Sequence, residues 1–199
     1  MKKTILFLLL APFVHAAPLV IGDHSFEGND LAAGGWSNTL GPEWIGSGFE
    51  EFITGFSAEG TDHLGMTNGA QVTQDLAATY QANTRYTLTI SMGNRPGFTN
   101  AGNQTTCRLA DNTGTIYVSG AADASSIGAG SFGDAPDLVF DTPSNPASIG
   151  KTIRIILEGG GAGRSHFDDI RLDATLLAPS GAALIQNSPA SVVTSSTAT

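Results

Sequence analysis

Apolar and polar positions alternate along two long segments of the chain, residues 85–93 and 151–159. A period of two is the pattern of a strand with one buried and one exposed face. Both segments are therefore predicted as half-buried β-strands. Their inward positions are Tyr86, Leu88, Ile90 and Met92 in the first segment, and Ile153, Ile155 and Leu157 in the second.

Shorter segments with strand character are separated by Gly, Asn, Asp and Pro, which favour turns, and the chain has 25 glycines. No segment carries a convincing helical stripe. Residues 75–83 could form one helical turn, but we expect them to end a strand. Residues 120–136 are rich in Gly, Ala and Ser and are predicted as a long loop. Together these patterns predict one all-β domain, an antiparallel β-sandwich of the jelly-roll type, over residues 18–175.

Both ends of the chain differ in composition from this domain. The start, MKK followed by TILFLLLAPFV and HAA, has the charged, apolar and small-residue zones of a secretory signal peptide. Residues 1–16 are therefore expected to be removed, which predicts a secreted or periplasmic protein, with the cell surface as one location. Residues 176–199 are rich in Ala, Ser and Thr and lack charge, which predicts a disordered tail. No later segment is apolar for long enough to form a transmembrane helix.

Charge and cysteine content narrow the classes of partner. The formal net charge is −9, and losing Lys2 and Lys3 with the signal peptide would make it −11. The remaining basic residues are scattered, whereas nucleic-acid binding requires a basic surface. Nucleic acid is therefore not expected as a partner, and homo-oligomerisation stays open. The single cysteine, Cys107, has no partner for an intrachain disulfide and is expected to be a packed structural thiol.

A pair of carboxylates stands in the last patterned segment, HFDDIRLD, residues 166–173. Simple alternation puts Asp168 on the apolar face with Ile170 and Leu172, and puts Asp169 on the opposite face. A buried carboxylate is costly, so Asp168 needs hydrogen-bond donors, a cation or a raised pKa.

Glu27, in the segment HSFEGND, becomes a second carboxylate at this place if the first and last strands lie side by side. Two neighbouring carboxylates repel each other unless a cation joins them, and hard oxygen ligands favour Ca²⁺. Glu27 and Asp168 are thus candidate calcium ligands. The alternative is that Asp168 caps a turn and Glu27 is a solvated strand end.

Three stretches together resemble a known superfamily: SFE…GGW near the start, GAQVTQDL…ANTRYTLTISMGN in the middle, and FDDIRLD at the end. They are similar to the galactose-binding-like jelly rolls of carbohydrate-binding module families 4, 9 and 22. They resemble still more closely the secreted, calcium-dependent Stig cyclases, which act on hapalindole and fischerindole precursors. The resemblance implies a structural calcium held in part by Glu27 and Asp168.

The resemblance implies two different uses of aromatic side chains. In the binding modules they stack on sugar rings, and the candidates here are Trp44, Phe49, Phe98 and Tyr117. Trp44 is expected on an exposed loop, because Gly and Pro surround it, whereas Trp36 and Phe52 are the strongest candidates for the core. In the cyclases, an aromatic pocket with a carboxylic acid protonates a prenylated indole, and Asp168 or Asp169 is conceivable as the acid.

The sequence therefore predicts an exported, calcium-stabilised module that binds extracellular carbohydrate or a similar ligand. One alternative is a Stig-type cyclase that takes a small hydrophobic substrate. The other is a structural cell-surface protein.

Overall fold

Two antiparallel β-sheets form the fold. The computed structural model describes residues 16–95, 97, 104–161 and 163–178, and these contain thirteen strands and one 3₁₀ turn at Ala124–Ser126. The strands are β1 (Ala16–Pro18), β2 (Trp36–Ser37), β3 (Ile45–Gly46), β4 (Phe49–Glu51), β5 (His63–Met66), β6 (Gln71–Thr79), β7 (Thr84–Asn94), β8 (Gln104–Asp111), β9 (Ile116–Asp123), β10 (Ser131–Asp134), β11 (Leu138–Asp141), β12 (Thr152–Gly159) and β13 (Ser165–Leu176).

The larger sheet has the strand order β10-β7-β13-β5-β4-β2, with β1 also paired to β13 and β11 also paired to β7. The smaller sheet has the order β3-β6-β12-β8-β9. The predicted class, an antiparallel jelly-roll sandwich, is confirmed. The first and last strands are neighbours, as the reasoning about Glu27 required, because Ala16 pairs with Thr175 and Pro18 with Asp173.

The core lies between the sheets and is built from the alternating segments of the sequence. Strand β7 contributes Tyr86, Leu88 and Ile90 to it, and β12 contributes Ile153, Ile155 and Leu157, as predicted. Each fully buried side chain of this size stabilises the fold by about 1.5–3 kcal/mol relative to exposure. Other members of the core are Phe26, Trp44, Leu64, Val72, Tyr80, Leu109, Phe167, Ile170 and Leu172.

A β-bulge interrupts the alternation of β13. The register pairs Asp168 with Ser91 and then Ile170 with Ile90, so Asp169 is the extra residue, with a φ of +45°. Phe167 and Ile170 therefore both face the core, and Asp168 lies on the outer face of the sheet. The prediction that Asp168 shares a face with Ile170 is wrong, because simple alternation does not count the inserted residue. Its predicted burial is nevertheless observed.

Residues 120–136 do not form one long loop, so the prediction of a loop over this Gly-, Ala- and Ser-rich segment is wrong. Strand β9 continues to Asp123, and β10 begins at Ser131, so only a short turn separates them. Small side chains do not prevent strand pairing when a neighbouring backbone is available, as β8 and β7 are here. Residues 75–79 belong to β6, as expected for the end of a strand.

Three further predictions concern the thiol, the chain ends and the membrane. Cys107 is buried on β8 with its sulfur 3.7 Å from the Thr105 hydroxyl, which fits a packed structural thiol. The predictions of a signal peptide over residues 1–16 and of a disordered tail over residues 176–199 fall almost entirely outside the described residues, as does that for Phe98. Within the described ranges, no helix has the length and apolar character needed to cross a membrane.

Candidate functional site

Glu27 and Asp168 hold the two ends of one loop, residues 57–62. Glu27 Oε1 accepts hydrogen bonds from the backbone N–H groups of Thr61 (2.7 Å) and Asp62 (2.8 Å). The Glu27 carboxylate also fills the place of a side chain at Gly60, since a Cβ there would lie 2.1 Å from Oε1. The two carboxylates are thus linked through the loop. In the described part of the chain, they do not belong to a compact group of three metal-ligating side chains.

Asp168 is a buried carboxylate that has found hydrogen-bond donors. Its Oδ2 accepts from the N–H groups of Ala58 (2.6 Å) and Glu59 (3.0 Å), and its Oδ1 accepts from Asp169 N–H (2.8 Å). Burial nevertheless dominates and raises the pKa of Asp168 to about 7. Two of the three solutions that the sequence argument offered, donors and a raised pKa, are therefore present.

A second group of carboxylates lies beside the first loop, which joins β1 to β2 and carries Asp23 and Glu27. Burial raises the pKa values of Asp23, Glu50 and Asp62, and neighbouring carboxylates raise them further: Glu27 beside Asp23 and Asp62, and Asp23 beside Glu50. Asp23 Oδ2 is buried and has no hydrogen-bond partner among the described residues. A cation would relieve both the repulsion and the missing contact.

An open cavity of about 520 Å³ lies on the outer face of the larger sheet. Strand pairing creates it, because Trp36, Glu51 and His63 stand opposite one another on β2, β4 and β5. Trp36 is 63% exposed, which contradicts the expectation that it belongs to the core. The residues that line the cavity are Trp36, Asn38, Phe49, Glu51, Thr67 and Arg164.

Glycines make room for the large side chains of this face. In the next row of pairs, Phe49, Gly65, His166, Gly93 and Phe132 follow one another across five strands. A Cβ on Gly65 would lie 2.2 Å from the Phe49 ring, and a Cβ on Gly93 would lie 2.7 Å from the Phe132 ring. The Phe49 and Phe132 rings therefore lie over glycine backbone, where a side chain would leave them no room.

Two buried histidines lie beside this cavity. The His63 and His166 ring centroids are 5.2 Å apart, and His63 Nε2 is 4.0 Å from Glu51 Oε2. Burial lowers the pKa of His63 to about 3 and that of His166 well below its usual value, so both rings are neutral. Arg95 donates to Glu51 Oε1 at 2.6 Å. The sequence does not reveal this cluster, because its histidines are far apart in the chain and show no metal-binding spacing.

Of the aromatic residues predicted to bind a ligand, Phe49 lies at the cavity and Trp44 lies in the core. Phe49 lines the cavity, with the Arg164 guanidinium 4.9 Å from its ring centre. Trp44 is only 3% exposed, packs 5.3 Å from the Phe26 ring and donates to the Asp23 carbonyl. The prediction of an exposed Trp44 is wrong, because its loop folds inward over the core.

Tyr117 does not reach the cavity either. Its ring stacks on Phe140 at 5.3 Å, and its hydroxyl donates to Asp111 at 2.8 Å. This arrangement lies on the edge of the core beside β9 and β11, away from the outer face that carries Phe49.

Residues 17–173 match the HpiC1-like family, described as HpiC1 cyclase, and the chain therefore belongs to this family. No curated protein matches the chain.

Solved structures show the same fold. A Stig cyclase from Fischerella sp. TAU, in complex with (3Z)-3-(1-methyl-2-pyrrolidinylidene)-3H-indole, is 19% identical with a TM-score of 0.69, over 82% of this chain and 100% of that one. An apo cyclase from Fischerella sp. is 19% identical with a TM-score of 0.70, over 82% and 98%. An arabinose-bound GH51 α-L-arabinofuranosidase is 13% identical with a TM-score of 0.51, over 79% of this chain and 26% of that one.

Proposed function

We propose that this protein is a cyclase of the HpiC1 type that binds a planar, largely apolar small molecule in the outer-face cavity. The observation that carries the proposal is the cavity itself, in which Trp36, Phe49 and Glu51 surround about 520 Å³ of space. Membership of the HpiC1-like family favours this activity over the binding of carbohydrate, which the sequence alone favours.

The lining of the cavity suits a reaction that passes through a cation. The faces of Trp36 and Phe49 offer stacking surfaces for an aromatic ring, and aromatic faces also attract positive charge. Glu51 supplies a carboxylate whose negative charge stabilises a cation in a site partly screened from water. Glu51 would first take up a proton from water, give it to the substrate at the start of the cyclisation and recover it at the end, so one carboxyl group can serve both steps.

Glu51 is a better candidate for this role than Asp168. A pKa of about 7 would suit Asp168 as an acid, but its carboxyl is fully buried and lies outside the lining of the cavity. Asp169 is also absent from the lining, and its carboxylate is 3.2 Å from Arg171. We therefore assign the proton transfer to Glu51 and the support of the loop of residues 57–62 to Asp168.

We also propose that calcium stabilises the end of the sandwich beside the first loop. Asp23, Glu27 and Glu50 are the residues that would hold it. Their fit rests on the mutual repulsion of these carboxylates and on the unpartnered Asp23 Oδ2. Bound calcium would neutralise this charge, and Asp168 would contribute through the loop that it shares with Glu27. Export, as the signal-peptide pattern predicts, would expose such a site to extracellular calcium.

The test is a comparison of binding and turnover in variants of the cavity. Indole and a prenylated indole isonitrile serve as probes, measured by calorimetry and by product analysis, and xylohexaose serves as the carbohydrate probe. Phe49→Ala should weaken indole binding about two- to tenfold, since ring-stacking contacts contribute about 0.5–1.5 kcal/mol. Glu51→Gln should abolish turnover while most of the binding remains.

Ile116→Ala is the matched control, because Ile116 is an exposed apolar residue on the smaller sheet, away from the cavity. It should behave like the unchanged protein. Binding of xylohexaose without any binding of indole would overturn the proposal, as would full turnover by Glu51→Gln.

A further inference from the structure

Glu51, His63 and His166 form a compact group of side chains with the composition of a metal site. One ligand atom from each lies within 4.8 Å of the others, and all three residues are buried. We propose that this group, in the absence of substrate, binds a divalent transition-metal ion of the Zn²⁺ class, separate from the hard oxygen site proposed for calcium. Glu51 Oε2 would then be a metal ligand, so ion binding and the proton transfer proposed for Glu51 exclude each other. Two histidines and one glutamate are an established ligand set for zinc, with a fourth position left to water or a substrate.

The unpartnered atoms of the two histidines are the first argument. Both ring nitrogens of His63 and of His166 are buried and have no hydrogen-bond partner among the described residues, and the same holds for Glu51 Oε2. A buried polar atom without a partner destabilises the fold, because it has lost its hydrogen bonds to water. Five such atoms in one place are expensive to keep, whereas a metal ion would satisfy one on each residue.

The His63–Glu51 pair needs little adjustment to accept an ion, and each pair of ligand atoms in the group is within 4.8 Å. Zinc–ligand distances of about 2.0–2.2 Å in a tetrahedron place neighbouring ligand atoms roughly 3.3–3.6 Å apart. His63 Nε2 and Glu51 Oε2 are 4.0 Å apart, so a side-chain shift of about half an ångström is enough for this pair. Both imidazoles are neutral, which is the form that coordinates a metal.

The surroundings support the ligands. Arg95 donates to Glu51 Oε1, which orients the carboxylate and leaves Oε2 for the ion. Phe56 packs edge-on against His63, at 5.0 Å, and against His166, at 5.6 Å, and Phe132 lies 5.6 Å from His63. These rings form an apolar shell around the group. The charge of Arg95 opposes a second cation, so the affinity should be lower than in a site without this arginine.

Titration with Co²⁺ tests the proposal without any substrate, so its outcome is independent of the cyclase activity. Mature protein without a histidine tag is titrated in millimolar calcium, which keeps the oxygen sites filled. One equivalent of Co²⁺ should bind with the strong visible absorption of a four-coordinate ion, and Zn²⁺ should displace it. His63→Gln and His166→Gln should each weaken binding roughly tenfold or more.

His24→Gln is the matched control, because His24 belongs to a second, more exposed group with Glu59 and Asp169. This variant should bind Co²⁺ like the unchanged protein. If it loses binding while the His63 and His166 variants keep it, the ion is at the exposed group and the proposal fails. Failure of the unchanged protein to bind one equivalent also overturns it.

A measurement on the unchanged protein covers the case in which the His63 and His166 variants do not fold. In nuclear magnetic resonance spectra of protein with ¹⁵N-labelled histidine, Zn²⁺ should shift the ring-nitrogen signals of both buried histidines. Unshifted signals at one equivalent of Zn²⁺ would refute the site.

Discussion

The burial of the two tryptophans is the reverse of what the sequence predicts, and this reversal gives the sharpest test of the fold. Trp44 is 3% exposed and Trp36 is 63% exposed. Trp44→Ala would remove a packed indole from beside Phe26 and the hydrogen bond to the Asp23 carbonyl. Truncation of a buried aromatic typically costs about 3–5 kcal/mol. For a domain of this size, each kcal/mol lowers the melting temperature by about 2–4 °C.

We therefore expect Trp44→Ala to lose about 4 kcal/mol of unfolding free energy and roughly 8–16 °C in melting temperature. Trp36→Ala should change the unfolding free energy by no more than about 0.5 kcal/mol, as is usual for an exposed side chain. Urea denaturation followed by circular dichroism measures both. Trp44→Phe keeps most of the volume and should lose clearly less than Trp44→Ala.

Fluorescence offers an independent assay, because the chain has only two tryptophans. In Trp36→Phe the remaining emission comes from buried Trp44 and should resist quenching by acrylamide. In Trp44→Phe it comes from Trp36 and should be quenched readily. A Trp44→Ala variant within about 1 kcal/mol of the unchanged protein, or a larger loss from Trp36→Ala, would refute the inward folding of the Trp44 loop.

Three further predictions concern titratable groups. Burial raises the pKa values of Asp23, Glu50 and Asp62, so calcium-free protein loses stability as pH rises through these pKa values. Chelation of calcium should therefore lower the melting temperature more at about pH 8 than at about pH 5. An equal effect of EGTA at the two pH values would contradict this. The contribution of Asp168, with a pKa of about 7, is present below about pH 3.8 and lost as pH rises through about 7. Asp168→Asn should therefore flatten the pH dependence of unfolding free energy in EGTA, and an unaltered slope would count against the raised pKa. Burial raises the pKa of Cys107 to about 11, so a thiol reagent at about pH 8 should label it only after unfolding, and labelling of the native protein would show that the thiol is accessible.

The sequence predicts most of the fold because strand alternation is a local property. The inward faces of β7 and β12 follow from it directly, as in Leu88 and Ile155. It fails at Asp168, where the bulge at Asp169 adds one residue that a period of two does not include. It also fails at Trp44, since Gly and Pro indicate a loop but do not indicate whether the loop folds inward.

The site is less accessible to sequence reasoning because it depends on strand order. Phe49 is recognised as a candidate, but its neighbours across the sheet, His166 and Phe132, come from much later in the chain. Glu51 stands in a short strand with no pattern of its own. The resemblance to galactose-binding-like jelly rolls and Stig cyclases predicts the fold and offers the cyclase as one alternative, whereas only the pairing of the strands assembles the side chains of the cavity.

The pairing of β1 with β13 has a mechanical consequence. Ala17 of β1, the first residue left after the expected signal peptide, lies opposite Ala174 near the end of β13, so these two points of the chain leave the sheet together. A stretching force applied between them would open the interstrand hydrogen bonds one after another, like a zipper, because an antiparallel pair pulled from adjacent ends is not loaded in shear. β1 would peel away at low force while the sandwich behind it stayed folded. A tether attached through these ends would thus yield first at β1, and the cavity on the outer face would be spared.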